Sequence, residues 1–195
     1  MGMSCIILAA GSSSRMTKYK QLLFYKGKTL IKQLGEILSS LTFQKIVCVT
    51  GFLRVELENE LRGLGIEFIH NDNHLAGQTS SLKIGIEHLA IEEGTNAVLI
   101  CLTDQPKIPH HHYQDLIKSA KENPSKIIAT LYGNTFGVPS VIPHEYFQEF
   151  ISLPNNGSPN SILKKHRDNL ILIKCEAASQ DIDTDEDYKK LIADA

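Results

Sequence analysis

Cys5-Ile6-Ile7-Leu8-Ala9-Ala10-Gly11-Ser12-Ser13-Ser14-Arg15-Met16 is the stretch that decides the fold, and Lys20-Gln21-Leu22-Leu23 follows closely. A short apolar run that ends in Gly and Ser predicts a buried parallel strand, and α/β proteins bind ligands at the carboxyl ends of such strands. Gly11 allows the backbone to approach a ligand, and the loop amides after it can cradle phosphate oxygens. Arg15 and Lys20 add positive charge, so we predict that this loop binds a polyanion.

The composition is that of a globular protein with one domain. The chain has 195 residues, of which 42% are hydrophobic and 22% charged, and its formal net charge is −2. This charge disfavours a nucleic-acid partner, and no apolar run approaches the ~20 residues that span a membrane. The four cysteines lie far apart in apolar runs, which predicts buried, inert thiols and a cytoplasmic protein.

Strand-like runs alternate with helical patterns along the chain, which is typical of a parallel sheet covered by helices. Strands are predicted at 4–9, 45–50, 67–70, 96–102, 127–132, 139–142 and 169–174, and helices at 29–41, 54–64, 80–93, 111–122, 144–152, 161–166 and 184–192. We therefore expect an α/β fold, a Rossmann-like αβα sandwich whose sheet is mostly parallel with an antiparallel C-terminal part. Residues 1–195 form one expected domain, with a nucleotide-binding half at about 3–106 and an acceptor-binding half at about 107–195.

A carboxylate follows the most apolar predicted strand, in Leu102-Thr103-Asp104-Gln105-Pro106. At the carboxyl end of a parallel strand, Asp104 points toward the ligand crevice. Mg²⁺ is usually held by one or two carboxylates together with phosphates, which makes Asp104 a candidate metal ligand. The alternative is an ordinary exposed aspartate in a turn before proline.

A second acidic stretch, Gln180-Asp181-Ile182-Asp183-Thr184-Asp185-Glu186-Asp187, lies near the end of the chain. In an extended segment Asp181 and Asp183 would share one side. Thr184 is predicted to cap the last helix together with Asp187, and helix capping also explains the acidic residues after it.

A third polar stretch joins a predicted strand to a predicted helix. It contains Asn71 and the run Gly77-Gln78-Thr79-Ser80-Ser81-Leu82. Free amides in such a loop can read the edge of a flat base through hydrogen bonds. The structural alternative for Ser80 is the N-cap of the helix.

Taken together, these stretches resemble the MobA-like nucleotidyltransferases, and in particular the molybdenum cofactor cytidylyltransferases. The first stretch is similar to the pattern L-A-A-G-x-S-x-R-M-G-x-x-K-x-L-L, with Thr17 in place of the second Gly. The others are similar to L-x-D-Q-P, to G-M-x-S-S-L with Gln78 in place of Met, and to D-I-D-T-P-E-D-[LY] with Asp185 in place of Pro.

The resemblance implies the nucleotide-diphospho-sugar transferase fold and a Mg²⁺-dependent transfer of CMP from CTP to a phosphorylated pterin, the molybdenum cofactor, with release of pyrophosphate. It implies a catalytic role for Arg15, Lys20 and Asp104. It also implies metal binding by Asp104 with Asp181 or Asp183, of which Asp181 is slightly favoured. The implied nucleotide-binding residues are Leu8, Ala9, Ala10, Gly11, Ser12, Ser13, Ser14, Asn71, Gly77, Gln78, Ser80 and Ser81. A molybdoenzyme or its maturation chaperone is the implied protein partner.

Departures from the family pattern concern the acceptor side. Ala10 matches relatives that use CTP rather than GTP, but Val138 stands where the family has His between Gly137 and Pro139. The loop 155–160 also lacks the Asp and Arg of the family's G-D-x-G-A-R-type loop. A guanylyltransferase, a sugar- or polyol-phosphate nucleotidylyltransferase, and a non-catalytic nucleotide- or pterin-binding accessory protein therefore stay open as alternatives.

Overall fold

The computed structural model describes residues 2–11, 16 and 18–193, and a seven-stranded sheet forms its centre. The strands are β1 (Met3–Leu8), β4 (Ile46–Thr50), β5 (Ile66–His70), β6 (Ala97–Leu102), β7 (Ile127–Tyr132), β8 (Thr135–Pro143) and β9 (Leu170–Lys174). Their order is β5-β4-β1-β6-β8-β7-β9. Only β8 runs antiparallel to its neighbours in this sheet, so the mostly parallel sheet with an antiparallel C-terminal part is confirmed.

Helices cover both faces of the sheet, which confirms the αβα sandwich. Their bounds are α1 (Leu30–Ser39), α2 (Arg54–Glu60), α3 (Gln78–Ala90), α4 (His110–Glu122), α5 (Phe147–Ile151), α6 (Pro159–Lys165) and α7 (Asp185–Ala193). Buried apolar residues of α1, α2 and α4 pack on one face of the sheet, and those of α3, α5 and α6 pack on the other. The inner strand β1 supplies both faces alternately: Ile7 belongs to the first cluster and Ile6 to the second. This alternation is why the run reads as continuously apolar in the sequence.

The structure differs from the predicted elements in two places. A two-stranded hairpin, β2 (Phe24–Tyr25) with β3 (Lys28–Thr29), was not predicted, because each of its strands is too short for a periodic pattern. The predicted helix over 144–152 is instead a 3₁₀ turn, His144–Tyr146, followed by the single short helix α5. The apolar residues of this segment can be buried in a continuous helix or in a turn followed by a short helix, so the apolar pattern alone did not distinguish these two conformations.

No helix within the described part of the chain is long and apolar enough to cross a membrane.

One buried histidine joins α4 to the antiparallel strand. His112 is 2% exposed, and its Nε2 lies 2.8 Å from Thr130 Oγ1. The Thr130 hydroxyl donates its proton to the Pro139 carbonyl oxygen at 2.6 Å, so the ring nitrogen of His112 is the donor in this pair. Burial lowers the pKa of His112 below its usual value of 6.5, although Asp115 partly opposes the shift.

We expect the free energy of unfolding to fall as the pH drops through about 6.5, because the unfolded chain then binds a proton at His112 that the folded chain resists. His112→Gln should therefore lose less stability than the wild type between pH 8 and pH 5, as measured by urea unfolding at each pH. His144→Gln, which replaces an exposed histidine outside α4, is the control and should keep the wild-type slope. Equal slopes for the wild type and His112→Gln would contradict this assignment.

Candidate active site

The carboxyl ends of β1 and β6 and the amino end of α3 surround a cavity of about 460 Å³, the nucleotide cavity. Its described lining residues are Leu8, Ala10, Gly11, Met16, Lys20, Gln21, His74, Leu75, Gly77, Gln78, Ser81, Leu102, Thr103, Asp104 and Asp183. The neighbouring register of β1 and β6, with Leu8 opposite Leu102, brings the two strand ends side by side. Gly11 and Asp104 therefore lie in one crevice.

A lysine connects two carboxylates in the wall of this cavity. Lys20 Nζ lies 2.5 Å from Asp104 Oδ2 and 3.2 Å from Asp183 Oδ1. Burial by itself would lower the pKa of Lys20, but Asp104 and Asp183 outweigh it, and the pKa is raised. Lys20 is therefore a fixed positive charge at neutral pH.

The carboxylates of Asp104 and Asp183 also suit a divalent cation. The second oxygen of Asp104, Oδ1, is buried and has no hydrogen-bond partner among the described residues. Among those residues no cluster of three or more His, Cys, Asp or Glu could hold a metal. Mg²⁺ commonly takes only one or two carboxylates and completes its shell with phosphate oxygens and water. Asp104 and Asp183 thus fit Mg²⁺ that arrives with a nucleotide.

The turn after β1 is held by Gln21, which the sequence analysis quoted but did not single out. Its side chain is 1% exposed, and Nε2 donates to the carbonyl oxygens of Gly11 at 2.8 Å and of Ala9 at 3.2 Å. These two hydrogen bonds fix the backbone of the turn. In the sequence, Gln21 stands between Lys20 and the apolar pair Leu22-Leu23, and this polar residue beside an apolar pair was the available signal.

The loop between β5 and α3 is built on Asn71, which is fully buried. Its Nδ2 donates to Ser80 Oγ and Ser81 Oγ, each at 2.9 Å, and its Oδ1 accepts from the backbone amide of Asn73. Because these bonds use the whole carboxamide, Asn71 shapes the loop and does not line the cavity. Ala9 and Ser80, also predicted to bind nucleotide, likewise lie behind the lining residues.

Gly77, rather than Ser80, is the N-cap of α3. Gly77 has φ of 111°, a conformation that glycine adopts far more easily than other residues. Ser80 lies in the first turn, and its hydroxyl donates back to the Gly77 carbonyl at 2.7 Å. The amino end of the 13-residue helix α3 therefore faces the cavity, where its free amides favour an anion.

The two aspartates of the acidic stretch line two adjoining cavities. Ile182 is buried against Leu23 and Leu30, and its amide donates to the Asp104 carbonyl oxygen at 2.9 Å. With Ile182 fixed in this way, Asp183 lines the nucleotide cavity, whereas Asp181 lines a second, adjoining one.

Asp181 is the carboxylate with the strongly perturbed acidity. Burial of its carboxyl group and the nearby charge of Asp104 raise its pKa to about 6, while the side chain of Gln105 partly opposes the shift. The predicted cap beside it is confirmed: Thr184 Oγ1 accepts from the Asp187 amide, and Asp187 Oδ2 accepts from the Thr184 amide at 2.9 Å.

Four of the predicted site residues, Ser12, Ser13, Ser14 and Arg15, lie outside the described residues, as does Thr17. Their predicted contacts with a triphosphate stay predictions. Of the others, Leu8, Ala10, Gly11, Lys20, Gly77, Gln78, Ser81, Asp104 and Asp183 are brought together in the nucleotide cavity.

Residues 5–170 match the family model of the MobA-like NTP transferase domain. The chain belongs to this family. It is 28% identical over 148 residues to bifunctional protein GlmU of Francisella tularensis. This alignment covers 75% of the chain but only 31% of the relative, so the chain matches about a third of the length of that relative.

Two solved structures show the same fold. The structure of Rv0371c from Mycobacterium tuberculosis H37Rv in complex with manganese has a TM-score of 0.79 at 19% identity, and the match covers 100% of both chains. The CMP:2-keto-3-deoxy-manno-octonic acid synthetase in complex with CTP has a TM-score of 0.75 at 16% identity, with 99% of this chain and 98% of that chain covered. These two likenesses show that the chain shares its fold with both proteins.

Mg²⁺ without nucleotide should stabilise Lys20→Met more than the wild type. The ammonium group and a divalent cation compete for the same oxygens of Asp104 and Asp183, and removal of the ammonium leaves those carboxylates facing each other. The measurement is the change in melting temperature with increasing MgCl₂. Lys18→Met, an exposed neighbour, is the control, and a Mg²⁺ response of Lys20→Met no larger than that of Lys18→Met would refute the competition.

Proposed function

We propose that this nucleotidyltransferase transfers CMP from CTP to a phosphorylated acceptor, a molybdopterin-like pterin, and releases pyrophosphate. The observation that carries the proposal is the meeting of Gly11, Lys20, Asp104 and Asp183 in one cavity, with a second cavity beside it. In the reaction, a phosphate oxygen of the acceptor attacks the α-phosphorus of CTP. A new P–O bond forms there, and the bond to the β-phosphate breaks.

Transfer of a nucleotidyl group requires positioning and neutralisation of charge more than covalent help from the protein. Lys20 supplies one positive charge to the phosphates, and the predicted role of Arg15 is to supply another. The backbone of Ala10 and Gly11, with Ser12, Ser13 and Ser14, is proposed to cradle the triphosphate. Gly77, Gln78 and Ser81 at the amino end of α3 are proposed to lie against the nucleoside.

Asp104 and Asp183 are the residues we propose to hold Mg²⁺, which when bound neutralises the charge that develops on the transferred phosphate. This choice favours Asp183 over Asp181, because Asp183 forms an ion pair with Lys20, as Asp104 does, and lines the nucleotide cavity with it. The manganese complex of Rv0371c is consistent with a divalent ion in this fold.

We propose that the nucleotide binds to the half formed by residues 3–106 and that the acceptor binds largely against residues 107–195. The matching structure in complex with CTP supports a cytidine nucleotide for this fold, and Ala10 supports it from the sequence. A cytoplasmic location and a molybdoenzyme or its maturation chaperone as partner complete the proposal.

CTP with Mg²⁺ should raise the melting temperature more than ATP, GTP or UTP does, since selective binding stabilises the folded state. With a purified pterin acceptor, the wild type should then release pyrophosphate from CTP, and Lys20→Ala should slow turnover by about two to three orders of magnitude because it removes a charge that faces the phosphates. Lys18→Ala should stay close to the wild type.

A larger shift with GTP would favour a guanylyltransferase. Tight binding of CTP without release of pyrophosphate from any acceptor would contradict catalysis and favour the accessory protein.

Asp183→Asn should raise the Mg²⁺ concentration needed for half-maximal turnover by about tenfold or more, because one anionic ligand becomes neutral. Titration of pyrophosphate release with MgCl₂ measures this. Glu186→Gln, an exposed neighbour on α7, is the matched control. An unchanged Mg²⁺ requirement in Asp183→Asn would remove this residue from the proposed metal site.

A further inference from the structure

The second cavity, which we name the acceptor cavity, has a volume of about 210 Å³ and shares Leu8, Gln78 and Leu102 with the nucleotide cavity. Half of its remaining lining residues are apolar, and they come from both halves of the chain: Leu82, Ile100, Val138, Phe150, Pro159 and Leu163. A molecule in this cavity therefore has its phosphate next to the nucleotide and its body against apolar side chains.

The acceptor cavity has a negatively charged lining residue and, among its described lining residues, no positively charged one. Its described lining residues include no Lys, Arg or His, and Asp181 is the carboxylate among them. The remaining polar lining side chains, which include Tyr132 and Asn160, carry no charge at neutral pH. A second anionic group on the body of an acceptor would thus meet like charge and find no cation in this wall.

Gln105 adds a hydrogen-bond acceptor to the same wall. It is 5% exposed, and its Nε2 donates to the Ala178 carbonyl oxygen at 3.0 Å, which fixes the orientation of the carboxamide. The opposite atom, Oε1, is buried and has no hydrogen-bond partner among the residues that the structure describes. Because an unpaired buried oxygen is costly, this atom calls for a donor from a ligand.

We propose that the acceptor cavity selects a phosphate ester whose body is uncharged and donates hydrogen bonds to Asp181 and to Gln105 Oε1. This inference rests on the proposed function, which places the reacting phosphate beside Lys20. An aminopyrimidine edge and a polyol both meet the requirement, whereas a body that carries a carboxylate or a second phosphate does not. Asp181 is thereby an acceptor-recognition residue, and Asp183 is the metal-binding partner of Asp104.

Two pairs of phosphate monoesters test this selectivity, each pair differing only by a hydroxymethyl group in one member and a carboxylate in the other. They are 4-(hydroxymethyl)benzyl phosphate with 4-carboxybenzyl phosphate, and ribitol 5-phosphate with 5-phosphoribonate. Calorimetric titration of the full chain, with Mg²⁺ and α,β-methylene-CTP present and absent, measures the affinity of each probe without turnover. Asp181→Asn is compared with Asp168→Asn, an exposed aspartate outside both cavities.

In the wild type and in Asp168→Asn we expect the uncharged member of at least one pair to bind about tenfold more tightly than its carboxylate partner, because the Asp181 carboxylate repels a like charge that is held beside it. In Asp181→Asn this ratio should fall to about threefold or less. Gln105→Met should weaken the uncharged member and leave its carboxylate partner no weaker.

Equal or tighter binding of the carboxylate members by the wild type overturns the inference. So does an unchanged ratio in Asp181→Asn, or failure of all four probes to bind at millimolar concentration while the nucleotide analogue binds. Failure of the nucleotide analogue itself to bind counts instead against the proposed function, and the probe ratios measured without it still decide the selectivity of the cavity.

Discussion

The ammonium group of Lys20, held between the carboxylates of Asp104 and Asp183, is the interaction on which the rest of the site depends. These residues are far apart in the chain, and each comes from a different structural context. Asp104 follows the central strand β6, Lys20 lies in a short 3₁₀ turn after β1, and Asp183 precedes α7. Only the pairing of β1 with β6 and the anchoring of the C-terminal segment bring the three together.

This arrangement gives the protein two cavities of different chemistry that share one boundary. The nucleotide cavity contains the half-buried ammonium group of Lys20, two carboxylates and the amino end of α3, as binding of a metal–triphosphate requires. The acceptor cavity contains apolar walls, one carboxylate and an unsatisfied amide oxygen. The split between Asp181 and Asp183 follows from Ile182, whose burial and hydrogen bond to Asp104 fix which aspartate faces which cavity.

The sequence predicted those features that depend on strand ends. A continuous apolar run predicts a buried parallel strand, and the polar residue after it must lie at the carboxyl edge of the sheet, so Gly11 and Asp104 could be placed together before the structure was known. The antiparallel strand β8 was predicted only over residues 139–142 of its nine residues, because the glycines at 133 and 137 before that stretch are typical of a turn.

What the sequence could not predict depends on tertiary contacts in irregular segments. The assignment of Asp181 and Asp183 required the position of Ile182 between two packed elements. The supporting role of Asn71 required knowledge that both its amide protons are used by Ser80 and Ser81. Gln21 was missed for the same reason: a glutamine that fixes two carbonyls of a turn has no periodicity that marks it.

The most direct test of the central claim is a crystal structure of the protein with Mg²⁺ and α,β-methylene-CTP. The account predicts the triphosphate between the turn at Gly11 and the amino end of α3, with the ion bound to Asp104 and Asp183 and with Lys20 turned from those carboxylates toward phosphate. A nucleotide bound elsewhere, or an ion that contacts neither aspartate, would contradict it.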